Sequence, residues 1–248
     1  IMADSKFPSE VIDLPSAGKV YSKESPISSG KIEIKYMTAK EEDILTSENL
    51  LKKGLVIDRL LNSLILTKGV TINDLVTGDK NAVMVAARIL AYGPNYDVEL
   101  ENKYTGEKFN HTFDLTDCPF KQLSDDIDYS QSNFSMLLPT SKTNIKFKLL
   151  TGIEEALIEK EVKTTSKFGT STEMTSRLRH IITEVDGDTD QATINNFVND
   201  MLSRDSLALR EELQRISPDI ILKQEVDMEG ELVEVDIPLT TNFFWPTS

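Results

Sequence analysis

One stretch of the sequence occurs twice in recognisable form, and this repetition limits the folds open to the chain. KIEIKYMTAKEEDIL at 31–45 is echoed by NIKFKLLTGIEEALI at 144–158, with Thr38, Glu41 and Glu42 matching a threonine and two glutamates 113 residues later. Shorter echoes follow the same order: LPS and LPT at 14 and 138, TIND and TINN at 71 and 193, and GE at 106 and 230. A period above about 100 residues indicates a tandem domain duplication and not a solenoid.

Each copy is predicted to contain a strand, then helices, then a β-hairpin, so the fold class is α+β. The predicted strands carry apolar side chains at alternate positions, which are Ile32, Ile34 and Tyr36 in one copy and Ile145, Phe147 and Leu149 in the other. The chain divides into an N-terminal arm at 1–13, a first α+β unit at 14–128, a linker at 129–137 and a second α+β unit at 138–248.

Capping signals place the helices of the first unit. Thr38 and Thr151 each stand three residues before a glutamate, which is the spacing of a capping box, and the helix after Thr38 is expected to be short. A longer amphipathic helix is predicted over about 50–66. Another is predicted over 81–91, capped by Asp79 and ended by the YGPN segment that contains Gly93.

Hairpins and loops are predicted from alternation and turn residues. The first hairpin is expected at 97–102 and 107–113, and the second at 220–226 and 232–237 after a helix at 204–215. Polar segments at 164–176 and 186–190 predict loops.

Reactive residue types are scarce in this chain. The sequence holds one cysteine, Cys118, and two histidines, His111 and His180, which are too few for a zinc site of four Cys and His ligands. The segment DGDTDQATI at 186–194 begins like a calcium loop but lacks its glycine and its final glutamate. No phosphate-binding glycine loop or nucleophile motif occurs, so we predict no catalytic, cofactor-binding or metal-binding residues.

Charge and hydropathy restrict the partners. The chain has 41 acidic and 27 basic residues, a net charge of −14, which repels phosphate backbones and argues against nucleic acid. No apolar run approaches the roughly 20 residues that span a bilayer, so no membrane contact is expected. With a single cysteine, the expected compartment is the cytoplasm, or a particle assembled there.

The segment NFFWP at 242–246 places three aromatic residues in a row, Phe243, Phe244 and Trp245. Two interpretations stay open for it. The segment can dock onto the protein's own core, or it can anchor a neighbouring subunit, because Phe and Trp are favoured at interfaces.

Three stretches resemble a known family when they are taken together. LPSAGKVY at 14–21, MTAKEEDILTSENLLKKGLVIDRLL at 37–61 and DLVTGDKNAVMVAARILAYGPNYDV at 74–98 are similar to the T4-like bacteriophage baseplate protein family, a component of the baseplate hub or central spike complex. The similarity is good over about 14–120 and looser in the second half.

The resemblance implies a non-enzymatic structural component of the baseplate hub of a contractile-tailed phage, acting in tail and baseplate assembly. Its partners would be other hub proteins and the tape-measure protein, within a hetero-oligomeric assembly. It would be found in the host cytoplasm during assembly, with the baseplate of the virion tail as a further location. The alternative is an assembly chaperone for the tape-measure or hub proteins that is absent from the mature virion.

Overall fold

The computed structural model describes residues 8–47, 55–166, 172–239 and 243–245. Within these ranges the chain forms seven α-helices and nine strands, and the strands pair in small antiparallel sheets. The predicted α+β class is therefore confirmed. No helix in the described ranges is long and apolar enough to cross a membrane.

The helices and strands follow the same general order in both halves of the chain. The first half contains β1 (Ser9–Asp13), β2 (Lys31–Lys35), α1 (Ala39–Leu45), α2 (Val56–Leu64), α3 (Thr77–Tyr92), β3 (Asn95–Glu101) and β4 (Lys108–Asp114). The second half contains β5 (Phe134–Leu137), β6 (Asn144–Phe147), α4 (Gly152–Ser166), α5 (Glu173–Ile181), β7 (Ile182–Val185), α6 (Gln191–Asp200), α7 (Ser203–Ile216), β8 (Lys223–Met228) and β9 (Glu231–Asp236).

The sheets are formed mainly by strands that are neighbours in sequence. β1 pairs with β2, β3 with β4, and β8 with β9, and β6 lies between β5 and β7. Both predicted hairpins are present, each with a glycine of positive φ at its turn, Gly106 and Gly230. A positive φ is easily adopted by glycine because it lacks a Cβ atom.

Several helix boundaries differ from the prediction. α1 is short, as expected, but α3 begins at Thr77, four residues before the predicted start at 81, and ends at Tyr92, with Gly93 as its C-cap. The prediction that Asp79 caps this helix is wrong, because Asp79 is its third residue and is fully buried. Part of the helix predicted at 50–66 lies outside the described residues, and α2 covers Val56–Leu64.

The loop predicted at 164–176 is too long at both ends. α4 continues to Ser166 and α5 begins at Glu173, and 167–171 lie outside the described residues.

The short helix α6 was not predicted. It begins after Asp190, whose carboxylate accepts hydrogen bonds from the N–H groups of Ala192 and Thr193.

Buried apolar side chains form two clusters. The smaller one lies within the second half, between Leu138 and Ile216. The larger one contains the core of the first half together with the inner face of the second hairpin and the side chains of Phe243 and Phe244. The larger cluster thus draws side chains from both predicted units, while the boundaries at 14–128 and 138–248 remain a prediction.

The two hairpins also contact each other through reciprocal hydrogen bonds. The Tyr96 hydroxyl of β3 donates to the carbonyl of Pro238, after β9, at 2.8 Å. The Gln224 amide of β8 donates to the carbonyl of Asp114, at the end of β4. Each hairpin therefore binds the backbone at the end of the other.

Candidate functional site

The residues with reactive side chains lie apart and are engaged in packing. Among the described residues, no three His, Cys, Asp or Glu side chains are grouped so as to hold a metal ion. Cys118 is buried, and burial raises the pKa of its thiol, which keeps it protonated. The His111 ring packs edge-on against Phe113, and the His180 ring contacts the Glu161 carboxylate at 3.0 Å.

The structure separates the three aromatic residues predicted to bind a partner. Phe243 and Phe244 are 2% and 3% exposed and belong to the larger core, where the Phe243 ring lies edge-on to Tyr96 with centroids 5.1 Å apart. Trp245 is 41% exposed. Of these three side chains, only Trp245 offers surface to another molecule.

Trp245 borders a cavity of about 260 Å³ at the ends of α1 and α3. The lining residues are Glu42, Leu45, Thr46, Tyr92, Phe244 and Trp245. The Tyr92 hydroxyl donates a hydrogen bond to the Glu42 carboxylate at 3.4 Å, which links the two helices at the cavity. The Arg88 guanidinium lies over the Tyr92 ring, 5.2 Å from its centroid. This region, with an indole at its edge, is the candidate partner-binding surface.

The capping box predicted at Thr38 is present and includes a lysine. The Glu41 carboxylate accepts hydrogen bonds from the Thr38 N–H at 3.0 Å and from the Lys35 ammonium at 2.7 Å. Burial alone would raise the pKa of Glu41, but the hydrogen bonds from Lys35 and Thr38 outweigh it and lower the pKa. Glu41 is therefore a structural carboxylate, held ionised at the start of α1.

The second half repeats this arrangement at the matching positions. The Glu154 carboxylate accepts from the Thr151 N–H at 2.9 Å and from the Lys148 ammonium at 2.7 Å. Burial again favours a higher pKa, but the bonds from Lys148 and Thr151 prevail and lower the pKa of Glu154 to about 2.

Asp79 and Asp205 form a second matched pair of buried carboxylates, and sequence reasoning missed the role of both. Asp79 accepts hydrogen bonds from the N–H and hydroxyl of Ser16 and from the hydroxyl of Tyr21. Asp205 accepts from the N–H groups of Thr140 and Ser141, at 2.7 and 2.9 Å. The sequence did carry a signal for this role, the repeated segments LPS and LPT. Their Ser16 and Thr140 supply hydrogen-bond donors, which a buried carboxylate needs.

A tight contact joins the first half to the second. Val76 forms a β-bridge with Thr151, and the Gly152 N–H donates to the Leu75 carbonyl at 3.1 Å. Gly78, in the first turn of α3, lies so close to Pro218 that an added Cβ would overlap the Pro218 carbonyl oxygen. Glycine is required where two backbones approach this closely. We call this contact the seam.

Comparison with known families gives one match. The sequence model of the family described as T4 bacteriophage base plate protein matches residues 10–245, which is nearly the whole chain. No curated protein and no solved structure matches. The match extends through both halves, the seam and the exposed Trp245.

Proposed function

Because the chain belongs to the T4 bacteriophage base plate protein family, we propose that it is a non-enzymatic structural component of the baseplate hub of a contractile tail. It acts in tail and baseplate assembly by binding other hub proteins, and the tape-measure protein is a further partner. The observation that carries this proposal is the extent of the family match, 10–245, which covers both halves of the chain.

The protein is built from two divergent tandem copies of one unit. This part of the proposal is supported by the matched hydrogen-bond networks of Glu41 and Glu154 and by the two buried aspartates, Asp79 and Asp205. It is also supported by strand contacts, since Ile34 bridges Ile65 in one half and Phe147 pairs with Ile182 in the other.

Trp245 and the cavity beside it form the surface that binds a hub partner. An exposed tryptophan next to a cavity is typical of the residues that dominate binding energy at interfaces. The two buried phenylalanines fix the backbone on the N-terminal side of Trp245, so this segment is ordered before the partner arrives. A segment ordered in advance loses less entropy on binding.

The second candidate is an assembly chaperone that holds a tape-measure or hub protein and then leaves the particle. The net charge of −14 favours this alternative, because a strongly charged surface keeps a complex with an aggregation-prone partner in solution.

Mass spectrometry of purified tails and of isolated assembly intermediates distinguishes the two functions. A fixed copy number in mature tails supports the structural component, and presence in intermediates alone supports the chaperone. Absence from both contradicts both functions.

The binding surface at Trp245 is tested by a substitution. Trp245→Ala is expected to reduce the amount of this protein that is recovered with the hub partner. Tyr104→Ala, a change at another exposed aromatic residue, is the matched control and retains that recovery.

A further inference from the structure

We propose that a second copy of this chain docks on the exposed surface around Leu202 and Leu207, at the start of α7. The contact repeats between two molecules the seam that joins the two halves within one molecule. The inference rests on the proposed duplication. It goes beyond hub membership because it names self-association and the two surfaces that meet.

The seam joins two different surfaces. The first, here called the leading face, is residues 75–81 at the start of α3, where Val76 is 5% exposed and the Asn81 amide reaches the Asp219 carboxylate at 3.4 Å. The second, here called the receiving face, is the start of α4 at Thr151 and Gly152 together with Pro218 and Asp219 after α7. A leading face of the first half thus covers a receiving face of the second.

A matching leading face exists in the second half, and it is uncovered. Asp205 and Asp79 are both third residues of their helices, so Leu202 takes the place of Val76, and Leu207 the place of Asn81. Leu202 is 49% exposed and Leu207 is 46% exposed. Leu137 is also exposed, and it stands three residues before Thr140, whose N–H binds Asp205. Three exposed leucines therefore stand within a few residues of Asp205 or of the turn that it binds.

A matching receiving face exists in the first half. Thr38 and Ala39 correspond to Thr151 and Gly152. Gly93 and Ser217 are the C-caps of α3 and α7, so Pro94 and Asn95 correspond to Pro218 and Asp219. Ala39 is exposed, and among the described residues no β-bridge joins Thr38 to the start of α7. Each molecule thus leaves one leading face and one receiving face open.

Covering the leucines is the physical reason for docking. Burying apolar surface is worth about 25 cal/mol per Å², so covering Leu202 and Leu207, which are each almost half exposed, favours association. The contact between the two hairpins does not offer such a site, because its reciprocal hydrogen bonds are both formed within one molecule. In the seam, by contrast, only one of the two leading faces and one of the two receiving faces of each molecule are covered.

The geometry determines the kind of assembly. Because the leading and receiving faces differ, the contact between molecules is head-to-tail, which forms a ring if the rotation closes and a filament if it does not. Arg204 stands where the first half has Gly78, so the helix start cannot approach its receiving face as closely as in the seam. We therefore expect reversible association, weaker than the contact within the chain.

Analytical ultracentrifugation of the full chain tests the proposal. The weight-average mass is expected to rise above the 27.8 kDa of the monomer as concentration increases. The double variant L202E/L207E, with a broken leading face, and Ala39→Arg, with a broken receiving face, are each expected to remain monomeric. Leu232→Glu, a change at an exposed leucine of the second hairpin, is the matched control and associates like the unmodified protein. Circular dichroism verifies that each variant is folded.

Mixing the two monomeric variants gives the decisive result. Each retains the face that the other lacks, so the mixture is expected to form a species of twice the monomer mass and nothing larger. A mixture that stays monomeric overturns the proposal, as does an unmodified protein that is monomeric at every concentration. Normal association of L202E/L207E also overturns it. None of these outcomes bears on whether the protein is found in tails, which mass spectrometry of the particles decides separately.

Discussion

Asp79 and Asp205 occupy the same position in α3 and α7, and each holds the backbone of a turn that begins with leucine and proline. Their surroundings differ in one respect. Asp79 accepts short hydrogen bonds from two hydroxyl groups and one N–H, whereas the short bonds to Asp205 come from two N–H groups, and the side chains of Thr140 and Ser141 add to them. Burial raises the pKa of Asp79 despite its hydrogen bonds, while at Asp205 the opposing effect of burial is outweighed and the pKa is lowered.

Replacing each aspartate by asparagine is expected to cost different amounts of stability. In Asp79→Asn, the new NH2 group faces the hydroxyls of Ser16 and Tyr21, which can rotate and accept, so the loss is about 1 kcal/mol or less. In Asp205→Asn the NH2 group replaces an oxygen that accepted from a backbone N–H. Since the NH2 group cannot accept that hydrogen bond, the N–H is left unpaired. That costs about 1–3 kcal/mol. Urea unfolding at neutral pH measures both, and a larger loss for Asp79→Asn would contradict this account.

The Glu154 network is expected to make stability depend on acid pH. The pKa of Glu154 is about 2 in the folded protein, against 4.5 for a free glutamate, so its contribution is full above pH 4.5 and is lost as pH falls through 2. Glu154→Gln should lower the free energy of unfolding by about 1–2 kcal/mol at pH 7. The difference from the unmodified protein should vanish near pH 2. Glu159→Gln, on the exposed side of α4, is the control, and it should cost under about 0.5 kcal/mol because it removes only an exposed ion pair with Lys163.

Gly78→Ala is expected to disturb the seam. The added Cβ would overlap the carbonyl oxygen of Pro218, and since both are backbone groups, neither can move aside cheaply. Overpacking of this kind typically costs about 1–3 kcal/mol. Thr77→Ala, at the exposed neighbouring position, is the control and should change stability little. Thermal unfolding compares the two variants, and equal melting temperatures would show that the seam tolerates a methyl group.

The two ends of the aromatic segment are expected to respond in opposite ways. Phe243→Ala removes a buried ring from the larger core and should cost about 3–5 kcal/mol. Trp245→Ala should cost less, about 1 kcal/mol, because Trp245 is 41% exposed whereas Phe243 is fully buried. Urea denaturation gives both values. If Trp245→Ala unfolds the protein as readily as Phe243→Ala, the indole is part of the core and its exposure is not available to a partner.

Local patterns in the sequence were sufficient for features formed by near neighbours. The spacing of Thr38 and Glu41 predicted a helix start, and glycines between alternating segments predicted both hairpins. Both interactions close over a few residues, so turn and capping rules describe them. Asp79 was misassigned because its partners, Ser16 and Tyr21, lie about 60 residues away and leave no local spacing to read.

The candidate site was only partly accessible to the same reasoning. The run of three aromatics predicted a contact region, but the choice between a core and a partner depended on where Tyr96 lies relative to Phe243. Helix α6 was missed because it buries only two apolar side chains, Ile194 and Val198, and its cap at Asp190 falls inside a segment that resembles a loop. The seam could not be predicted, since a glycine in an ordinary helical sequence does not reveal that another backbone passes beside it.

The composition of the two cores has a consequence for how the protein is made. The smaller core is built from residues between Leu138 and Ile216, so it can close as soon as that segment has left the ribosome. The larger core includes Phe243 and Phe244, so it can close only after residues 243–244 have been translated. We therefore expect the second half to become resistant to protease before the first half on arrested nascent chains. The two cores would thus form during synthesis in the reverse of the order in which their halves occur in the sequence.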